Sequence, residues 1–104
     1  MADLPAVVMN DKTHRFELTL EGETAFAEYS LLRDAIVLPH TVTPPALEGR
    51  GVGSALAKAA LGYARGHGLK VKPVCPFMAG YIQKHPEWHD LVHADFRVRL
   101  GLAP

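Results

Sequence analysis

The chain has 104 residues, 48% of them hydrophobic, and its eleven basic and eleven acidic side chains cancel. The length predicts one domain with a core of its own, and the balanced charge argues against nucleic acid as a partner, because such binding depends on basic residues that neutralise phosphates. No stretch approaches the ~20 apolar residues of a membrane span, and the N-terminus lacks the pattern of a secretory signal. The chain has a single cysteine, Cys75, which excludes an internal disulfide and favours the reducing cytoplasm.

The first part of the chain reads as an antiparallel meander of strands. The clearest strand begins at Arg15, where Phe16, Leu18 and Leu20 alternate with polar residues in the period-two pattern of a half-buried strand. A polar turn precedes it, and Gly22 marks the hairpin that follows. The predicted strands are Ala6–Asn10, Arg15–Gly22, Thr24–Leu32 and Ala35–Val42.

The second part changes to helical spacing. Val52, Leu56 and Tyr63 recur on one helical stripe, and Gly66 supplies a stop. Further along we predict a strand at Leu69–Cys75, a short helix at Phe77–His85, a last helical turn at Glu87–His93 and an edge strand at Phe96–Leu100. This order predicts an α+β fold, in which an antiparallel sheet continues into one right-handed β-α-β crossover of the α/β type.

A glycine-rich run, "LEGRGVGSAL" (Leu47–Leu56), opens the long helix. It is not a dinucleotide fingerprint, since Leu56 stands where a third glycine is needed, and it lacks the Gly-Lys-Ser/Thr of a P-loop. Backbone N–H groups at such a turn converge on one point, and the helix dipole favours negative charge there. Gly51 and Gly53 would let a diphosphate approach closely, with Arg50 adding a charged contact. The alternative is a plain strand-to-helix turn.

The segment His40–Trp88 resembles a known family. Its "HTVTPPALEGRGVGSAL", "CPF" and "HPEW" are similar to the pyrophosphate loop and following strand of the GNAT superfamily, the acyl-CoA-dependent N-acetyltransferases. More closely, they resemble its small single-domain branch, with the pattern HTEVP…EGxGIGSAL…CPF…Y…HPE. Two residues depart from these patterns. Glu48 stands where the superfamily loop has Arg or Gln, and Val42 stands where the branch often has Glu.

The resemblance implies a mixed sheet whose parallel fourth and fifth strands splay apart, with acetyl-CoA as cofactor and its pantetheine arm in the gap. Pro39 and Pro73 fit this arrangement, because each lacks the N–H that a continuous ladder needs. Larger relatives place two helices after the first strand. The short turn Asn10–His14 leaves no room for them, so we expect an acceptor side that is open or completed by a partner chain, in a monomer or homodimer. The expected cofactor contacts are Val42, Thr43, Glu48, Gly49, Arg50, Gly51, Val52, Gly53, Ser54, Cys75 and Phe77.

Acetyl transfer to an amine needs a base, an oxyanion contact and a proton for the leaving thiolate. Backbone N–H groups near Val42 and Thr43 are candidates for the oxyanion contact. His40 is the candidate base, and a histidine that only packs in the sheet is the alternative. Tyr81 is the candidate acid, because many relatives have a tyrosine in that role near this position. The alternative is a tyrosine that only packs in the core. Cys75 either accepts the acyl group covalently or only lines the thioester pocket.

The stretch "HPEWHDLVH" superficially resembles the zinc motif H-E-x-x-H. His89 and His93 have the motif's spacing, and His85 adds a third imidazole. Asp90 is too short to replace the glutamate base, and Pro86 breaks the helix that would join His85 to the others. We therefore predict no metal site here.

The sequence is compatible with two functions. The first is an N-acetyltransferase that moves an acetyl group from acetyl-CoA to an unidentified primary amine by direct attack. The second is an acyl-CoA-binding or sensing module with little or no transferase activity, which Val42 and the missing acceptor walls favour. Neither function calls for nucleic acid or a membrane, and the acceptor amine is a small molecule or a protein.

Overall fold

The computed structural model describes residues 4–104 and contains one five-stranded sheet in the order β1-β2-β3-β4-β5. The strands are β1 (Val8–Asn10), β2 (Arg15–Leu20), β3 (Glu23–Leu31), β4 (Ala35–Val42) and β5 (Lys70–Lys72). The helices are α1 (Val52–Gly66), α2 (Pro76–Lys84) and α3 (Ala94–Arg97), with 3₁₀ helices at Pro45–Leu47 and Pro86–Leu91. Neighbours among β1–β4 are antiparallel, and β4 and β5 are parallel. The predicted α+β fold is confirmed.

The core lies between one face of the sheet and α1. Alternation along β2 buries Phe16 and Leu18, and the facing strand β3 buries Ala25 and Ala27. Helix α1 covers this face, contacting β2, β3, β4 and β5, and Leu56 is fully buried there. The other face of the sheet therefore carries Glu17 and the other residues that alternate with the core positions. Within residues 4–104, no helix is both long and apolar enough to cross a bilayer.

Pro39 sits at an irregularity in the pairing of β3 with β4. Glu28 pairs with His40, whereas Ser30 pairs with Val37, so Tyr29 opposes two residues of β4, one of them Pro39. A bulge of this kind accepts a proline, because the extra residue is left out of the ladder. The bulge also sets which β4 residues beyond it face the core.

Strand β5 is shorter than the predicted Leu69–Cys75. It ends at Lys72, before Pro73, and the last backbone hydrogen bond to β4 runs from the Cys75 N–H to the Leu38 carbonyl (2.9 Å). Beyond that bond β4 continues beside β3 to Val42, while the segment that follows β5 turns into α2. In the part of the chain that the structure describes, no backbone hydrogen bond joins the two segments past this point. The expected splaying of the two parallel strands is present.

The predicted edge strand Phe96–Leu100 is wrong. This segment holds the short helix α3 and a turn in which the Leu100 N–H bonds the Phe96 carbonyl (3.1 Å). His93 caps the helix by accepting a hydrogen bond from the Asp95 N–H (3.1 Å). The segment that lies beside β5 is instead Val92–His93, where the His93 N–H bonds the Val71 carbonyl (2.9 Å). A local cap therefore prevails over the strand pattern.

Candidate active site

The glycine run forms a turn that leaves the amino end of α1 open. Gly49 (φ 76°) and Gly51 (φ 79°) adopt the left-handed conformation that favours glycine. No side chain caps α1, whose first internal bond runs from the Ala55 N–H to the Gly51 carbonyl (3.1 Å). Backbone N–H groups of the first turn thus have no partner among residues 4–104. This helix end has the geometry and the partial positive charge of an anion site.

A pocket of about 270 Å³ lies directly in front of this turn. It is lined by Thr43, Leu47, Glu48, Gly49, Gly51, Val52, Gly53, Ser54 and Phe77. All of these except Leu47 are predicted cofactor contacts. Leu47 is almost fully buried and shows no sequence signal beyond hydrophobicity. Three further predicted contacts, Val42, Arg50 and Cys75, do not line the pocket.

Gly53 lies in the first turn of α1, where a neighbouring side chain leaves no space for a Cβ atom. A Cβ atom at this position would lie 2.8 Å from Cζ of Phe77, so the Phe77 ring rests on the bare backbone of α1. The ring is 43% exposed and separates the first pocket from a second one of about 310 Å³. The second pocket is lined by Ser54, Pro76, Phe77, Gly80, Tyr81, Lys84 and His85. The sequence prediction missed Lys84 and His85, although their spacing places them one helical turn beyond Tyr81.

Cys75 lies where the two splayed segments separate. It is the residue before α2, its side chain is 5% exposed, and its thiol donates a hydrogen bond to the Thr41 hydroxyl (3.4 Å). Thr41 pairs with Ala27, whose side chain faces the core, so this contact is on the α1 side of β4. The thiol is therefore enclosed at the closed end of the gap.

His40 and Val42 face the opposite side of the sheet from Thr41. In the register of β3 and β4, His40 is paired with Glu28 and Val42 with Phe26. Side chains alternate along a strand, so these four share the outer face, where His40 is exposed. The candidate base therefore faces away from the side of the sheet that α1 covers.

Comparison with known sequences decides the family. The family model described as "GCN5-related N-acetyl-transferase" matches residues 15–91, which run from β2 to the second 3₁₀ helix and include the glycine turn. The chain belongs to the GCN5-related N-acetyltransferase family. The resemblance of His40–Trp88 to this family is confirmed.

Relatives of similar length in vertebrates support the same assignment. Protein NATD1 of Gallus gallus is 35% identical over 86 residues, which cover 79% of this chain and 78% of the relative. Protein NATD1 of Homo sapiens is also 35% identical, covering 79% of this chain and 76% of the relative. The Xenopus tropicalis protein of the same name is 31% identical, with 72% of each chain covered.

In this N-acetyltransferase domain, Tyr81 is a buried tyrosine with a free hydroxyl. The side chain is 6% exposed and its ring stacks on His85 with centroids 3.9 Å apart. Its hydroxyl has no hydrogen-bond partner within residues 4–104. Burial raises the pKa of Tyr81, the Glu87 carboxylate adds to the rise, and the neighbouring Trp88 side chain opposes it. The hydroxyl therefore keeps its proton at neutral pH and can donate a hydrogen bond to a bound group.

Arg50 of the glycine run points to the β2–β3 hairpin. Its guanidinium donates to the Glu21 carboxylate (2.8 Å), and this hydrogen bond lowers the pKa of Glu21. Both partners are exposed, so the pair contributes little to stability. This one hydrogen bond leaves the other N–H groups of the guanidinium free among residues 4–104, and the predicted contact of Arg50 with the cofactor stays a prediction.

The histidines of "HPEWHDLVH" all bond the backbone. His85 and His89 contact the carbonyls of Tyr81 (2.7 Å) and Ile82 (2.8 Å), and His93 caps α3. Among the described residues, His, Cys, Asp and Glu side chains form no group of three that could hold a metal ion. In this family member the three imidazoles hold the segment after α2 in place.

Proposed function

We propose that the protein transfers the acetyl group of acetyl-CoA to a primary amine. The observation that carries the proposal is the uncapped amino end of α1, which opens through left-handed glycines onto a pocket beside the gap between β4 and α2. An anion at this point would receive several backbone N–H groups at once. The coarser function, membership of an N-acetyltransferase family, is established by residues 15–91.

The residues present fit coenzyme A. The N–H groups of the first turn of α1 suit the diphosphate, and the glycines keep side chains out of its way. The second pocket extends the site along α2 to Tyr81, Lys84 and His85. Beyond Leu38 the two segments share no backbone hydrogen bond, so an extended arm with backbone groups of its own can bond the free groups there without breaking a ladder.

The chain supplies the remaining chemistry. Acetyl-CoA, when bound, supplies the acetyl group as a reactive thioester. Successive N–H groups of a strand point alternately to its two neighbours, so one of those at Val42 and Thr43 would face the gap and stabilise an oxyanion. A neutral amine would bond the acetyl carbon and give one proton to His40 as the carbon–sulfur bond breaks. Tyr81 would give a proton to the departing sulfur.

A binding or sensing module is the second candidate. It is favoured by Val42, which gives the outer face an apolar residue beside His40, and by the turn between β1 and β2, which is too short to hold acceptor-binding helices. The two candidates differ in one result. An enzyme turns over acetyl-CoA with an amine, whereas a module binds it without acetylated product.

We expect Cys75→Ala to retain most of the wild-type kcat. Cys75 is enclosed and bonded to Thr41, so it lines the gap and does not carry the acetyl group. The measurement is steady-state acetyl transfer to a panel of primary amines by both proteins, with product detected by mass spectrometry. Intact-mass analysis without amine is the accompanying control.

Two results would contradict this account in different ways. A hydroxylamine-sensitive acetyl group that maps to Cys75 and passes to an amine at the rate of turnover would establish a covalent mechanism. Wild-type protein that binds acetyl-CoA and acetylates no amine would identify the binding module.

A further inference from the structure

The outer face of the sheet carries an acid beside the candidate base. Glu28 on β3 is directly opposite His40 on β4, immediately after the bulge at Pro39. Directly opposed residues in antiparallel strands have Cβ atoms about 4.5–5.5 Å apart, so the two side chains are neighbours. The next pair along the strands is Phe26 with Val42, both half-buried, which gives the acid and the base an apolar border.

Glu28 lacks the partners that the other acid on this face has. Glu17 accepts hydrogen bonds from Asn10 (3.1 Å) and Thr13 (3.2 Å). Arg15 is directly opposite Glu28 on β2, yet its guanidinium lies 3.9 Å from the centre of the Phe26 ring. Among residues 4–104, no side chain forms an ion pair or hydrogen bond with Glu28, although it is half-buried.

We propose that Glu28 binds the ammonium group of the acceptor, and that the acceptor is a cationic primary alkylamine. The proposal rests on the proposed transferase function. A half-buried carboxylate without a partner gains a charge-assisted hydrogen bond when an ammonium group binds it. Phe26 and Val42 provide apolar contact for the first carbons of the alkyl chain.

The arrangement also gives the proton a path. The bound ammonium group lies between Glu28 and His40 and gives one proton to the imidazole, which leaves a neutral amine with a free lone pair. Because His40 is exposed, the imidazolium releases this proton to solvent before the amine attacks, and His40 then takes the second proton that the amine loses as the amide forms. His40 and Val42 belong to the strand that borders the gap, so this amine is one strand away from the segment that carries Cys75. Glu28 holds the acceptor, and His40 removes its proton.

The first test measures acceptor binding without catalysis. We would titrate n-butylammonium into the protein without acetyl-CoA and follow backbone amide signals of β3 and β4 by NMR. In Glu28→Gln we expect the dissociation constant to rise about tenfold or more, as for loss of a hydrogen bond to a charged group. Glu28→Asp keeps the negative charge, so its dissociation constant for n-butylammonium should rise less than that of Glu28→Gln. Glu23→Gln, the same change on the same strand, is exposed at the hairpin and should behave as wild type.

The second test uses steady-state kinetics with n-butylamine. Glu28→Gln should raise KM about tenfold with kcat nearly unchanged, and its affinity for CoA should equal that of the wild type. Equal KM and equal dissociation constants in Glu28→Gln and wild type would overturn the inference, even if both transfer acetyl groups. Protein that binds butylammonium through Glu28 and transfers no acetyl group would support the amine site and contradict the proposed function.

Discussion

Replacing Gly53 with valine is expected to weaken CoA binding by more than about tenfold, or about 1.4 kcal/mol. The added Cβ would lie 2.8 Å from Cζ of Phe77, so the ring would have to move toward the pockets on either side of it. The two γ-methyl groups would also crowd the first turn of α1, where the N–H groups must approach the diphosphate. The measurement is calorimetric titration of both proteins with CoA.

Gly62→Val is the matched control for this experiment. Gly62 lies in the same helix, and a Cβ there has no neighbour within 4 Å, so the chemical change is the same at a position far from the turn. It should bind CoA with wild-type affinity, and thermal unfolding should show both variants folded. Undiminished CoA affinity in Gly53→Val would mean that the diphosphate binds elsewhere.

His40→Ala is expected to lower kcat about 100-fold, the lower part of the range for loss of a general base. The side chain is exposed on the outer face, opposite the face of β4 that carries Thr41. Affinity for CoA should therefore stay unchanged, and the loss should appear in kcat. The measurement is steady-state acetyl transfer with a saturating amine, together with a CoA titration.

His67→Ala serves as its control. This histidine is also exposed, but it follows α1 and stacks on Tyr63 with ring centroids 3.9 Å apart. Its loss should leave kcat at the wild-type value. If His40→Ala keeps the wild-type kcat as well, a water molecule takes the proton and His40 is only a residue of the sheet surface.

Features governed by local pattern could be predicted from the sequence. The alternation of Phe16 and Leu18 identifies β2 because period two is a property of the strand itself. The helix stripe from Val52 identifies α1 in the same way, and the glycines before it mark the turn. Most of the residues around the first pocket follow one another along the chain, so the resemblance of this one segment to the GNAT pattern predicts them together.

Features that depend on distant contacts could not be predicted. The segment Phe96–Leu100 has alternating apolar residues, but the cap at His93 starts a helix, and Val92–His93 takes the place beside β5. Nothing local identifies Glu28. Its position beside His40 follows from the register of β3 and β4, which the bulge at Pro39 sets. The contact of Gly53 with Phe77 likewise joins α1 and α2, between which β5 lies along the chain.

Calorimetric titration with CoA, dephospho-CoA and pantetheine tests most directly whether the amino end of α1 holds the diphosphate. Dephospho-CoA keeps the diphosphate and lacks only the 3′-phosphate, so it should still bind. Pantetheine lacks the diphosphate and loses every contact with the N–H groups of the turn, so it should bind far more weakly. Pantetheine that binds as tightly as CoA would contradict the assignment of the glycine turn.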